Sequence, residues 1–124
     1  MKTILWISLG AIVGANLRYF VAQQVARLVS PSFPYGTLLI NVTGSFVIGF
    51  FLIWTTGRVL ADPRWRLLIA VGFCGGYTTF SSYAYETFVL MEQGQWLSSM
   101  LNVVVSNLLC LAAVVLGAVL ARSL

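Results

Sequence analysis

Charge is what this sequence has least of. Seven Lys and Arg and three Asp and Glu make up 8% of the chain, and histidine is absent. Without histidine, and with its three carboxylates (Asp62, Glu86, Glu92) far apart, the chain offers no paired acid and base and no nucleophile with a base in reach. Enzymatic readings therefore fare poorly. The two cysteines, Cys74 and Cys110, both fall inside apolar runs, where a thiol behaves as a small hydrophobe. Neither a disulfide framework nor zinc-type spacing follows. The net charge of +4 has no dense basic cluster that could track a nucleic-acid backbone, so no nucleic-acid partner is expected. There is no internal repeat.

What is present is apolar surface, 60% of the residues. A soluble globule of this length cannot hide that much, so the solvent is lipid and the partner surface is the bilayer. A helix needs about 20 residues to cross the hydrocarbon core. Four segments reach that length, roughly Thr3 to Leu28, Tyr35 to Trp54, Arg66 to Leu90 and Trp96 to Ala121. The reading is one all-α integral membrane domain over residues 1–124. Breakers stand at the joints: Ser30-Pro31-Ser32-Phe33-Pro34, Asp62-Pro63 and Gln93-Gly94-Gln95. The first segment loosely imitates a cleavable signal peptide, but its apolar pattern resumes past Arg18, and we expect it to be kept as a helix. Trp54, Trp65 and Trp96 sit at span ends as interfacial anchors. Four spans put both termini on one side with Lys2, Arg58, Arg64, Arg66 and Arg122, against Arg27 opposite and Arg18 part way in. That count favours cytoplasmic termini. Gly10 with Gly14, Ser45 with Gly49 and Gly72 with Gly76 repeat at the interval that lets helices approach closely.

The most informative stretch is the middle of the third span, Gly72-Phe73-Cys74-Gly75-Gly76-Tyr77-Thr78-Thr79-Phe80-Ser81-Ser82. Glycine loosens the backbone, and Ser and Thr compete for its hydrogen bonds, so a continuous helix is weakest here. Two readings stand: a Gly-rich packing seam in an intact helix, or a break whose freed carbonyls suit a cation. Three glycines within five residues at mid-span favour the break. Just beyond, Phe80 and Tyr83 share a helix face with the hydroxyls of Thr79 and Ser82 nearby. The positive edges of aromatic rings can line a path for a small anion, or the pair can simply pack. Asn41, with Thr37 and Thr43 close by, can donate to an anion or tie two helices together. On the fourth span Asn102, Ser106 and Cys110 follow at four-residue steps, with Asn107 beside them. Such a stripe suits a water or ion path, and equally interhelical bonding. Arg18 and Glu86 lie about 21 Å and 28 Å along their helices, so on parallel helices they reach similar depth. They are expected to pair or to face a shared wet vestibule, the alternative being that each snorkels to the interface.

In order and spacing, three runs resemble the small bacterial fluoride channels of the Fluc or CrcB type: Gly14 to Tyr19 with Arg18, Gly36 to Phe46 with Asn41, and Gly72 to Ser81 followed by Glu86. The resemblance covers essentially the whole chain, most specifically in the third span and least in the fourth. It implies passive, fluoride-selective export across the bacterial inner membrane. It also implies a homodimer of two copies inserted in opposite orientations, with two narrow pores and a structural sodium ion on the two-fold axis. By position, Gly75 and Thr78 would hold the sodium through backbone carbonyls. Phe80 and Tyr83 would be the pore aromatics, Asn41 a pore donor, and Ser106 part of a polar track, with Thr79 and Ser82 nearby. Two positions depart from the pattern: Tyr83 stands where Phe is usual, and Asn102 where an aromatic is frequent. An opposed pair also requires insertion both ways, so Arg18 and Arg27 must offset the lopsided basic count or the dimer forms from a minority.

Two other classes are weighed. A small four-helix exporter driven by protons needs a membrane carboxylate early in the chain, where only Arg18 stands. A non-conducting assembly subunit would make the Gly-rich seams and Asn41 merely adhesive.

Overall fold

A computed structural model describes residues 1–56 and 62–124 of the chain. Arg58 lies outside them. Every regular element in the described residues is helical. The first two spans are α1 (Lys2–Leu28) and α2 (Tyr35–Thr56). The third begins with α3 (Pro63–Trp65), continues through a π-wound segment (Arg66–Cys74) into α4 (Gly75–Tyr77), breaks, and resumes as α5 (Phe80–Glu92). The fourth is α6 (Trp96–Ser123). Alpha-helices α1, α2 and α6 are each long and apolar enough to cross a membrane unaided.

Local chemistry sets the ends. At the start of the third span Asp62 Oδ1 accepts from the Arg64 N–H at 2.9 Å, with Pro63 in the first turn, where a missing N–H costs nothing. Asp62 also bonds the Arg64 side chain, whose guanidinium lies 5.8 Å from the Trp6 ring centre. The neighbouring Arg64 holds the Asp62 carboxyl below its ordinary value of 3.8. Between α5 and α6 the chain turns through Gly94 at φ 71°, left-handed backbone that favours glycine. Gln95 N–H closes that turn on the Leu90 carbonyl at 2.9 Å.

Two seams hold the bundle together. Along one, α1 packs on the π-wound segment and α4; along the other, α2 packs on α6. Small residues make both close. A Cβ at Gly10 or Gly14 would run into the backbone at Leu68 or Phe73, and one at Gly72 or Gly76 into the backbone at Ile7 or Ala11. On the second seam Gly49 meets Val114 and Gly117 meets Phe46 in the same way. Dispersion between close backbones is the main apolar attraction available in lipid, which explains why small residues occupy these faces.

Candidate ion path at a broken helix

The interruption falls at Thr78 (φ −76°, ψ 157°) and Thr79 (φ −149°, ψ 115°), both extended. It lies just past the glycines, because Gly72 and Gly76 are held against α1 and the chain has to leave that seam before it can turn. The π winding of Arg66–Cys74, just before α4, is a further departure from regular helix, of a kind frequent at functional sites.

Asn41 closes the break. Its Nδ2 donates to the Thr79 carbonyl at 3.0 Å, and its Oδ1 accepts from the Thr79 N–H at 2.8 Å. One side-chain amide thus serves as a peptide partner for both backbone groups of the extended residue that opens α5. Gly44, one turn along α2, presses on the Thr78 methyl. Thr79 then caps α5, its Oγ1 accepting from the Ser82 N–H at 3.2 Å.

These diversions free particular carbonyls. In an unbroken helix Thr79 N–H would bond the Gly75 carbonyl, and Ser82 N–H the Thr78 carbonyl. Both donors go elsewhere. Gly75 and Thr78 also line a cavity of about 220 Å³ with Asn41, Gly44 and Cys74, and nothing stands within 4 Å of where a Gly75 Cβ would be. Carbonyls that have lost their helical donors beside a cavity are of the kind that suits a hard cation. Arg18 Nη1 approaches the Thr78 carbonyl at 3.4 Å, a long contact beside which the second lone pair stays free.

On the other side of the break lies a cavity of about 240 Å³ lined by Asn41, Thr78, Thr79, Phe80, Tyr83, Ser106, Asn107 and Cys110. Five of the six residues expected in the pore are therefore brought together; Ser82 touches the group through Thr79, whose hydroxyl donates to it at 3.1 Å. The rings of Phe80 and Tyr83 are tilted at 52° with centres 5.4 Å apart. Phe80 stands out from the bundle, 78% exposed, and Asn107 is exposed as well. The N-terminus of α5 lies at this cavity, whose lining includes its cap Thr79 and its first residue Phe80.

The fourth-span stripe is a bonded network. Asn102 Nδ2 donates to Thr87 Oγ1 at 2.9 Å and Ser106 Oγ donates to Asn102 Oδ1 at 3.1 Å, both in buried surroundings. Asn102 is thus the hub joining α5 to α6, and Ser106 reaches a ligand only by turning its hydroxyl away from it. Thr87, which in turn donates to the Tyr83 carbonyl at 2.7 Å, was not legible as a partner, since a lone Thr on an apolar helix usually bonds its own backbone.

Arg18 and Glu86 do not pair. Alpha-helix α1 packs on the first half of the third span, while Glu86 lies beyond the break on α5. Equal depth on parallel helices therefore does not bring them together. Glu86 Oε1 instead accepts from Thr37 Oγ1 at 2.8 Å, and both residues line a third cavity of about 200 Å³ at the corner between α1 and α2. Among the described residues the ion pair is Asp62 with Arg64.

The family described as CrcB-like protein, Camphor Resistance (CrcB), matches residues 5–118. A protein of Koribacter versatilis (strain Ellin345) named fluoride-specific ion channel FluC is 58% identical over 124 residues, covering 100% of this chain and 98% of its own. Proteins of the same name from Roseiflexus sp. (strain RS-1) and Paramagnetospirillum magneticum (strain ATCC 700264 / AMB-1) are 48% and 46% identical, each comparison covering 98% of this chain. Their own coverage is 98% and 96% respectively. Identity at this level along essentially the whole length, with the family match over residues 5–118, makes this chain a member of the CrcB family.

Proposed function

We propose that this protein is a fluoride-selective channel of the bacterial inner membrane that lets the anion leave the cell down its gradient, working as a homodimer of oppositely inserted copies. The observation that carries the reading is the placement of a donor-lined cavity at the N-terminal end of α5, where the third span is interrupted. Fluoride is small and strongly hydrated, so a path through lipid has to replace its lost water with donors. Asn41 has one amide hydrogen beyond the one given to Thr79. Thr79 and Ser106 bring hydroxyls that would donate to an anion by releasing Ser82 and Asn102, and Ser82 stands behind Thr79. Phe80 and Tyr83 offer ring edges that attract an anion without a competing positive charge.

The dimer is supported by what one copy leaves open. An exposed Phe80 beside an exposed Asn107 and a cavity open on one side suit coverage by a second copy better than coverage by lipid. Opposed insertion sets the two breaks across one axis and gives two separate paths. The freed carbonyls of Gly75 and Thr78 would then hold a shared sodium ion, whose fixed charge supplies long-range attraction for anions. Arg18, beside Thr78, adds positive charge near the break, and Glu86 with Thr37 lines a separate cavity.

The test is flux. Purified protein in liposomes under a set voltage is expected to release fluoride rapidly and chloride negligibly; no fluoride flux, or equal chloride flux, would remove the proposal. Phe80→Ile is expected to cut fluoride flux at least about tenfold, the loss of roughly one anion contact, with assembly unchanged by size-exclusion chromatography.

A further inference from the structure

We infer that the hydroxyl of Tyr83 is itself an anion-binding donor in this path, and that Asn107 aims it there. The inference rests on the cavity carrying fluoride, as proposed above. It gives a role to a tyrosine where a phenylalanine would have sufficed for packing.

The argument starts at Asn107. Its Nδ2 lies 2.7 Å from the Val103 carbonyl and 3.2 Å from Tyr83 Oη. A backbone carbonyl can only accept, so the corner of the amide facing Val103 must be the NH2 group. One of its hydrogens goes to Val103 and the other to Tyr83. The phenol oxygen is therefore an acceptor in this contact, and its single proton has to leave on another side.

A phenol O–H prefers the plane of its ring, which leaves two directions. The one toward Asn107 would meet an N–H head-on and is closed. The remaining direction leads away from Asn107, and no acceptor takes the proton among the described residues. Tyr83 lines the same cavity as Asn41, Thr79, Phe80 and Ser106. An O–H that has no acceptor among the described residues and belongs to a residue lining the cavity is available to whatever enters it. A small anion of high charge density gains most from it, because hydrogen bonds to charged acceptors are the strong ones. Asn107 acts through Tyr83 and is a positioning residue.

The experiment measures fluoride efflux from liposomes across a range of fluoride concentrations for the wild type, Tyr83→Phe, Asn107→Leu and the double variant. Tyr83→Phe removes one oxygen and keeps the ring, so assembly by size exclusion should be unchanged. The half-saturating fluoride concentration is expected to rise about tenfold, the loss of one charge-assisted hydrogen bond. Asn107→Leu should raise it less, by releasing the hydroxyl to rotate, and should add nothing once Tyr83 is Phe. Half-saturation that is unchanged or lower in Tyr83→Phe overturns the inference, as does full additivity in the double variant. If Tyr83→Phe does not assemble, Asn107→Leu decides alone, and an unshifted half-saturation overturns the inference. A wild type that carries no fluoride brings down the proposed function and this inference together, and the wild-type trace by itself separates that result from the others.

Discussion

The two halves of the third span are held in different ways. Before the break, the π-wound segment and α4 lie against α1 through backbone contacts at Gly10, Gly14, Gly72 and Gly76. After it, α5 is an ordinary helix tied to α6 by side chains, through Asn102 on Thr87 and Asn107 on Tyr83. One half is fixed by the absence of side chains and the other by polar ones. The interruption sits where the first kind of packing hands over to the second, and the two cavities flank that point. A helix anchored by backbone contact on one side and by hydrogen bonds on the other has no reason to stay straight between them.

The contrast can be broken most severely on its backbone side. Gly14→Leu must drive a side chain into the Phe73 backbone, which cannot yield. A loss of about 4 kcal/mol or more is expected, read as failure to recover monodisperse protein. Asn41→Leu attacks the joint itself by stripping Thr79 of both its partners. It should cost about 1–3 kcal/mol by thermal unfolding in detergent and abolish flux. Asn41→Asp, which can still accept from the Thr79 N–H, should recover part of the stability. On the side-chain half the cost is smaller. Asn102→Leu is expected to lose about 1 kcal/mol, because polar ties between membrane helices are individually modest. The least effect lies outside the membrane. The depressed folded-state pKa of Asp62 means its contribution is present above the ordinary value of 3.8 and disappears as pH falls through the folded-state value. The difference in melting temperature between wild type and Asp62→Asn should therefore be small, constant from neutral pH down to mildly acidic conditions, and absent in stronger acid.

Much of this arrangement was legible in the sequence because lipid imposes a length on every apolar run. Helical segments fall on each of the four apolar runs, with α1, α2 and α6 each long and apolar enough to cross a membrane and the third run built from several helical pieces. The break was legible as a region of weak helix, but not to the residue. Composition marks where a helix is frail, whereas the exact point depends on α1 clasping the glycines and α2 supplying Asn41. The π winding left no trace in the pattern, since a wider turn alters which residues face a neighbour without altering which are apolar. Of the two roles considered for Asn41, the tie between helices is the one seen, to Thr79, and the same residue also lines the cavity. The partners of Arg18 and Glu86 could not be read from depth, because depth along a helix is silent about which neighbour lies alongside.

The double bond from Asn41 to Thr79 has a consequence for how the bend responds to change. The third span is folded over a pin that belongs to another part of the chain. A shorter or longer pin shifts the angle between the two rods, and a pin lacking either end lets one of them swing. Glutamine is one carbon too long, aspartate lacks the hydrogen, and serine falls short of both atoms. Asparagine supplies a donor and an acceptor at the required reach, so the geometry of the opening depends in part on a position on a helix that the opening does not interrupt.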